Sequence, residues 1–73
     1  MQIEENINQA VEQFFAKNSD KPKFLYLGKN EWDELCHVAD QKANIDFKTI
    51  QRPEYKGLRV LVVSTDNHLN VNS

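Results

Sequence analysis

Phe24-Leu25-Tyr26-Leu27, set between Pro22 and Gly28, is the stretch on which the fold turns. Four consecutive apolar or aromatic residues bounded by a proline and a glycine are too few for a helix and read as a β-strand. Both parities are apolar, which predicts a strand buried on both faces and central in its sheet. Past Gly28, Asn30 offers a side-chain oxygen to cap a helix, and Asp33 stands three residues later in the capping-box position. Trp32, Leu35, Cys36, Ala39 and Ala43 then recur at spacings of three and four, so a helix is predicted over 31–43.

Working outward, Ile3, Ile7, Ala10, Val11, Phe14 and Phe15 make the apolar stripe of an amphipathic helix over 2–17. Gln2, Glu5, Asn8, Gln9, Glu12 and Gln13 fill its opposite face. Glu4 and Glu5 near its start and Lys17 near its end suit the helix dipole, and Asn18-Ser19-Asp20-Lys21-Pro22 supplies a loop that ends it. Downstream, residues 45–50 alternate partly and are expected as the second strand, 52–57 as a connection, and Leu58-Arg59-Val60-Leu61-Val62-Val63 as the strongest strand of the chain. Asp66-Asn67 tolerates positive φ and is expected to turn a two-residue hairpin into an edge strand over 68–72.

The order is then α-β-α-β-β-β. It predicts an α+β (mixed α/β) two-layer sandwich, with two helices on one face of a small mixed sheet and a right-handed crossover where the first two strands run parallel. The expected core is Ile7, Val11, Phe14, Phe15, Leu25, Leu27, Trp32, Leu35, Phe47, Val60 and Val62. A chain of 73 residues holds one domain, here 1–73, divided into the helix over 1–17 and a strand-helix-strand-hairpin unit over 22–73. A domain of this size buries about 60% of its surface on folding and is stable by on the order of 5 kcal/mol.

Composition removes several classes. Apolar residues at 40% and charged residues at 27%, with two glycines and two prolines, exclude a disordered or collagen-like chain. The single Cys36 forbids an internal disulfide, so nothing asks for an oxidising compartment. The longest apolar runs are four residues, and the N-terminus carries acids where a signal peptide needs positive charge. A cytoplasmic protein without a membrane association is expected. The net charge of −2 argues against nucleic acid as the main partner.

Chemical motifs are sparse. Cys36 and His37 are adjacent, but helical neighbours point about 100° apart and cannot share a proton, so Cys36 reads as a small core residue. Glu34-x-x-His37 has the spacing of half a di-iron site, which requires the motif twice, and it occurs once. Asp66-Asn67-His68 reads as turn chemistry, and Gly28 and Gly57 stand alone, without the cluster of glycines that cradles a phosphate. No metal, cofactor or catalytic residue is expected. One basic cluster remains: Lys48, Arg52, Lys56 and Arg59 surround Tyr55, a combination that can stack bases and pair phosphates, diluted here by Asp46 and Glu54.

Pro22 before Phe24-Leu25-Tyr26-Leu27, the helix opening Glu31-Trp32-Asp33-Glu34-Leu35, and the later Tyr55-Lys56-Gly57-Leu58-Arg59-Val60 together resemble a stretch in the axial domain of tailed-phage major capsid proteins. The resemblance spans residues 22–63 and implies a phage or prophage-encoded α/β module, without the spine helix, extended loop and peripheral domain that build a shell.

These observations favour a non-catalytic protein-interaction module. The alternatives are a weak nucleic-acid-binding protein using Lys48, Arg52, Tyr55, Lys56 and Arg59, and a small inhibitor of a host protein. A homodimer is also expected, through Ile3 and Ile7 of the first helix or Leu69 and Val71 of the edge strand, because association would supplement a small core.

Overall fold

In the computed structural model, which describes residues 3–73, helix α1 (Ile3–Asn18) is followed by strand β1 (Phe24–Leu27) and helix α2 (Lys29–Ala43). Strands β2 (Glu54–Tyr55), β3 (Leu58–Val62) and β4 (Leu69–Asn72) complete the chain. Gln2, expected in the first helix, lies outside the described residues. The sheet order is β2-β3-β1-β4. β1 runs parallel to β3 and antiparallel to β4, and β2 is antiparallel to β3. The fold is therefore the expected α-β-α-β-β-β arrangement, an α+β sandwich with β1 in the sheet interior.

Two strand assignments differ from expectation. Residues 45–50 do not form a strand: the Asp46 carboxylate accepts the Lys48 backbone N–H, and the chain closes into a 3-10 turn, Phe47–Thr49. That turn delivers the Phe47 ring onto Trp32, with ring centroids 6.1 Å apart and planes inclined by 12°. The extra strand is β2, inside the segment read as a connection. Lys56 and Gly57 between β2 and β3 have φ of 51° and 82°, the positive values that a two-residue primed hairpin turn requires.

The hairpin expected at Asp66-Asn67 is also absent, because β3 and β4 lie on opposite sides of β1. Residues 63–68 instead cross the end of β1 and cap α2. Gly28 donates its N–H to His68 O, Lys29 to Thr65 O and Asn30 to Asp66 O, while Glu31 Oε1 accepts the His68 N–H. The N-cap of α2 is thus Gly28, without a side-chain cap, and not Asn30. Loop carbonyls satisfy helix-start N–H groups that a capping side chain would otherwise take. The approach is close: a Cβ on Gly28 would stand 2.6 Å from His68 N and 2.8 Å from Asp66 O.

Cross-strand partners share a face, so the register divides the sheet into two surfaces. Leu25 pairs with Val60 and Val71, Leu27 with Val62 and Leu69, and Leu58 with Tyr55. This face meets the helices, with α1 packed on β4 and α2 on β1. Leu25 and Leu27 retain 0% exposure and Ile3 and Ile7 only 1%. Val11, Phe14 and Trp32 are half-buried against the same core. Two expected core residues are not buried. Phe15 is 50% exposed, since it lies about 100° round the helix from Phe14 and off the stripe. Val62, at the last position of β3, is 47% exposed.

These placements set the expected behaviour of three substitutions in urea unfolding. Leu35→Ala costs about 2–5 kcal/mol because its side chain is fully enclosed, whereas Phe15→Ala changes stability by less than about 0.5 kcal/mol. Gly28→Ala costs about 1–3 kcal/mol, the usual penalty for forcing atoms into filled space, here against backbone that cannot swing aside.

Candidate functional site

The second surface of the sheet carries no helix among the described elements. Its rows follow from the register: Glu54, Arg59, Phe24 and Asn72 in one, and Leu61, Tyr26 and Asn70 in the next. Phe24, Tyr26 and Leu61 occupy the two interior strands and are half-exposed, with exposed Glu54, Arg59, Asn70 and Asn72 around them. The strand expected to be buried on both faces is therefore buried on one: Leu25 and Leu27 point to the helices, while Phe24 and Tyr26 point to water. A 73-residue chain has two helices to spend on covering a sheet, and both lie on the same side.

The basic cluster singled out from sequence does not assemble on this surface. Lys48 Nζ lies 3.5 Å from Asp33 Oδ1. Tyr55 belongs to the helix-facing side by its pairing with Leu58, and its hydroxyl donates to Glu4 Oε2 at 3.5 Å. Burial, with the neighbouring Glu4 carboxylate adding to it, raises the Tyr55 pKa, so the hydroxyl stays protonated. Lys56 Nζ sits 5.4 Å from the Tyr55 ring centroid and donates to Asn8 Oδ1. Arg59 stands on the open face beside Glu54 in the register, and Arg52 is exposed in the loop before β2. Five residues close in sequence are thus distributed over different sides of the sheet.

Of the four residues expected to mediate self-association, Ile3 and Ile7 are enclosed in the intramolecular core and present no surface to a second chain. Amphipathic periodicity marks a stripe that must be covered, without saying whether the cover comes from the same chain. Val71 is likewise buried, facing α1 from β4, and Leu69 is half-buried.

Two glutamates of α2 bind backbone of other segments. Glu31 binds the crossing loop, and Glu34 Oε2 accepts the Ile3 N–H at 3.1 Å, capping the start of α1. Glu4 pairs with Lys42 at 2.7 Å, and that hydrogen bond holds its carboxyl below the usual carboxylate range. No group of three His, Cys, Asp or Glu side chains converges for a metal among the described residues. Shallow features also lie on the helical side. Asp33, His37, Asp40, Asp46 and Lys48 ring an open depression over Cys36. Val38, Ala39, Ile45, Phe47 and Tyr55 form an apolar hollow rimmed by Glu4, Lys42, Glu54 and Lys56.

Cys36 is buried on the core side of α2 and His37 is exposed, so the pair diverges as helix geometry requires. Burial raises the Cys36 thiol pKa and keeps the reactive thiolate scarce at neutral pH. The folded protein is expected to resist a thiol reagent at pH 7 and to react fast only in denaturant; rapid labelling of the native state would show that the thiol is accessible.

Among the described residues no helix is long and apolar enough to cross a membrane. No protein family, curated protein or solved structure matches the chain, and the reading of its function rests on the geometry just described.

Proposed function

We propose that this chain is a non-catalytic protein-binding module whose working surface is the open face of the sheet. The observation that carries the reading is the row of Phe24, Tyr26 and Leu61 on the two interior strands, half-exposed where a covering layer would otherwise lie. Aromatic residues at the centre of a patch with a polar rim have the composition of a protein interface. The rim supports a protein partner over a nucleic acid. Arg59 is the one cation in these rows and has Glu54 beside it, whereas binding along a phosphate backbone draws on several uncompensated cations. Asn70 and Asn72 add neutral amide groups that donate and accept hydrogen bonds. The resemblance of residues 22–63 to a phage capsid module is compatible with this reading, as is the alternative of a small inhibitor of a host protein.

Rigid strands favour such a role, since the side chains that touch the partner need little ordering on binding. A photo-crosslinking amino acid introduced at Tyr26 or Leu61 is expected to yield one discrete adduct in an extract of the source cells. The same group at the exposed Glu12 or Gln41 of the helical layer is expected to yield none. Excess unlabelled protein should compete the adduct away, and Tyr26→Ser protein, with its melting transition intact, should not. Adducts formed equally from both layers would overturn the assignment of the surface. Tight, steeply salt-dependent binding of single-stranded oligonucleotides would replace the protein partner with a nucleic acid.

A further inference from the structure

The two edges of the sheet are built differently. On one side β2 is two residues long, follows Pro53 and carries Glu54, all features that discourage pairing with another chain. On the other side residues 68–73 contain no proline and no Lys, Arg, Asp or Glu, and among the described residues no strand pairs beyond β4. The backbone parity of this edge is fixed. His68 O accepts the Gly28 N–H and Asn72 O the Lys23 N–H, so even-numbered carbonyls face β1. By alternation the N–H and C=O groups of Leu69 and Val71 point away from the sheet. α1 runs beside the same margin, where Ala10, Gln13, Phe14 and Lys17 face Leu69 and Val71 across a groove.

We propose that this edge is occupied by a second copy of the chain, with β4 pairing antiparallel to β4 about a two-fold axis at Asn70. An antiparallel pair centred on Asn70 is self-complementary, so a second copy of the same edge meets every requirement of the first. Leu69 of each chain exchanges both N–H···O bonds with Val71 of the other, which satisfies every outward backbone group between those residues. Asn70 then meets Asn70 of the second copy in a close, non-hydrogen-bonded pair, with Cα atoms about 4.5 Å apart. An amide is both donor and acceptor, so identical Asn side chains can bond each other across the axis, where two identical charges would repel. The result is one continuous sheet through both copies, with the open faces side by side. It uses β4 alone and leaves Phe24, Tyr26 and Leu61 uncovered, while Asn70 of the open face's rim turns to the second copy.

Sedimentation equilibrium and crosslinking test the pairing. The parent chain is expected to associate reversibly to twice its mass, and Asn70→Asp, which sets like charges against each other on the axis, to shift it toward monomer without changing the monomer's melting temperature. Asn70→Cys is expected to oxidise to a covalent dimer much faster than Gln41→Cys, a control at an exposed position of α2. Tyr26→Ser should leave association unchanged. A chain that stays monomeric at all concentrations, with N70C oxidising no faster than Q41C, would overturn the proposal. So would a dimer that Asn70→Asp leaves at full strength.

Discussion

Keeping Leu25 and Leu27 dry is the constraint to which the rest of the structure answers. They occupy the helix-facing side of β1, one of the two interior strands, and neither retains any exposure. Val60 and Val71 flank Leu25 in the sheet, and Ile3, Ile7 and Leu35 close over the layer from the helices. For a chain this small, that single layer supplies most of the apolar burial, and burial is the main term favouring the folded state. Both helices are drawn to the same face because one well-covered face stabilises more than two half-covered ones. The opposite face then shows its aromatic residues to solvent.

The loop over 63–68 converts this layering into a particular topology. A tight hairpin after β3 would place the last strand beside β3; crossing the end of β1 places it on the far side, where α1 can cover it. The crossing is stabilised by backbone hydrogen bonds from the start of α2 and by the Glu31 carboxylate, and it depends on the missing side chain of Gly28. Helix start, strand end and loop are therefore one unit. Disturbing any of them exposes N–H groups that have no other partner in the fold.

Much of the architecture was legible in the residues. Both helices, β1, β3 and β4 follow from local periodicity, because a stripe of Ile3, Ile7 and Phe14 or a run such as Leu58 to Val62 has one economical local structure. The departures have two causes: local turn chemistry that outcompetes strand pairing, and contacts distant in sequence. Residues 45–50 have a strand-like composition, yet Asp46 binding its own backbone and Phe47 finding Trp32 win over pairing. Lys56-Gly57 turns a hairpin although Lys is an uncommon choice at positive φ; the adjacent Gly57 was the available signal. Likewise Asn30 has a capping side chain, but loop carbonyls arrive from 65–68 to take the N–H groups first. Of the site, the basic cluster was compact in sequence and is dispersed in space. The open face was invisible, since Phe24 and Tyr26 are as well suited to a buried strand as their neighbours Leu25 and Leu27, and only the number of covering helices separates them.

Whether the uncovered sheet face is the surface meant for a partner can be read from hydroxyl-radical footprinting of the chain alone and again in its native extract. Phe24, Tyr26 and Leu61 are predicted to oxidise in the isolated protein and to become protected in the extract, while Phe15 on the far side of α1 remains reactive throughout. Protection confined to the helical layer, or Phe24 and Tyr26 already inert in the isolated chain, would contradict it.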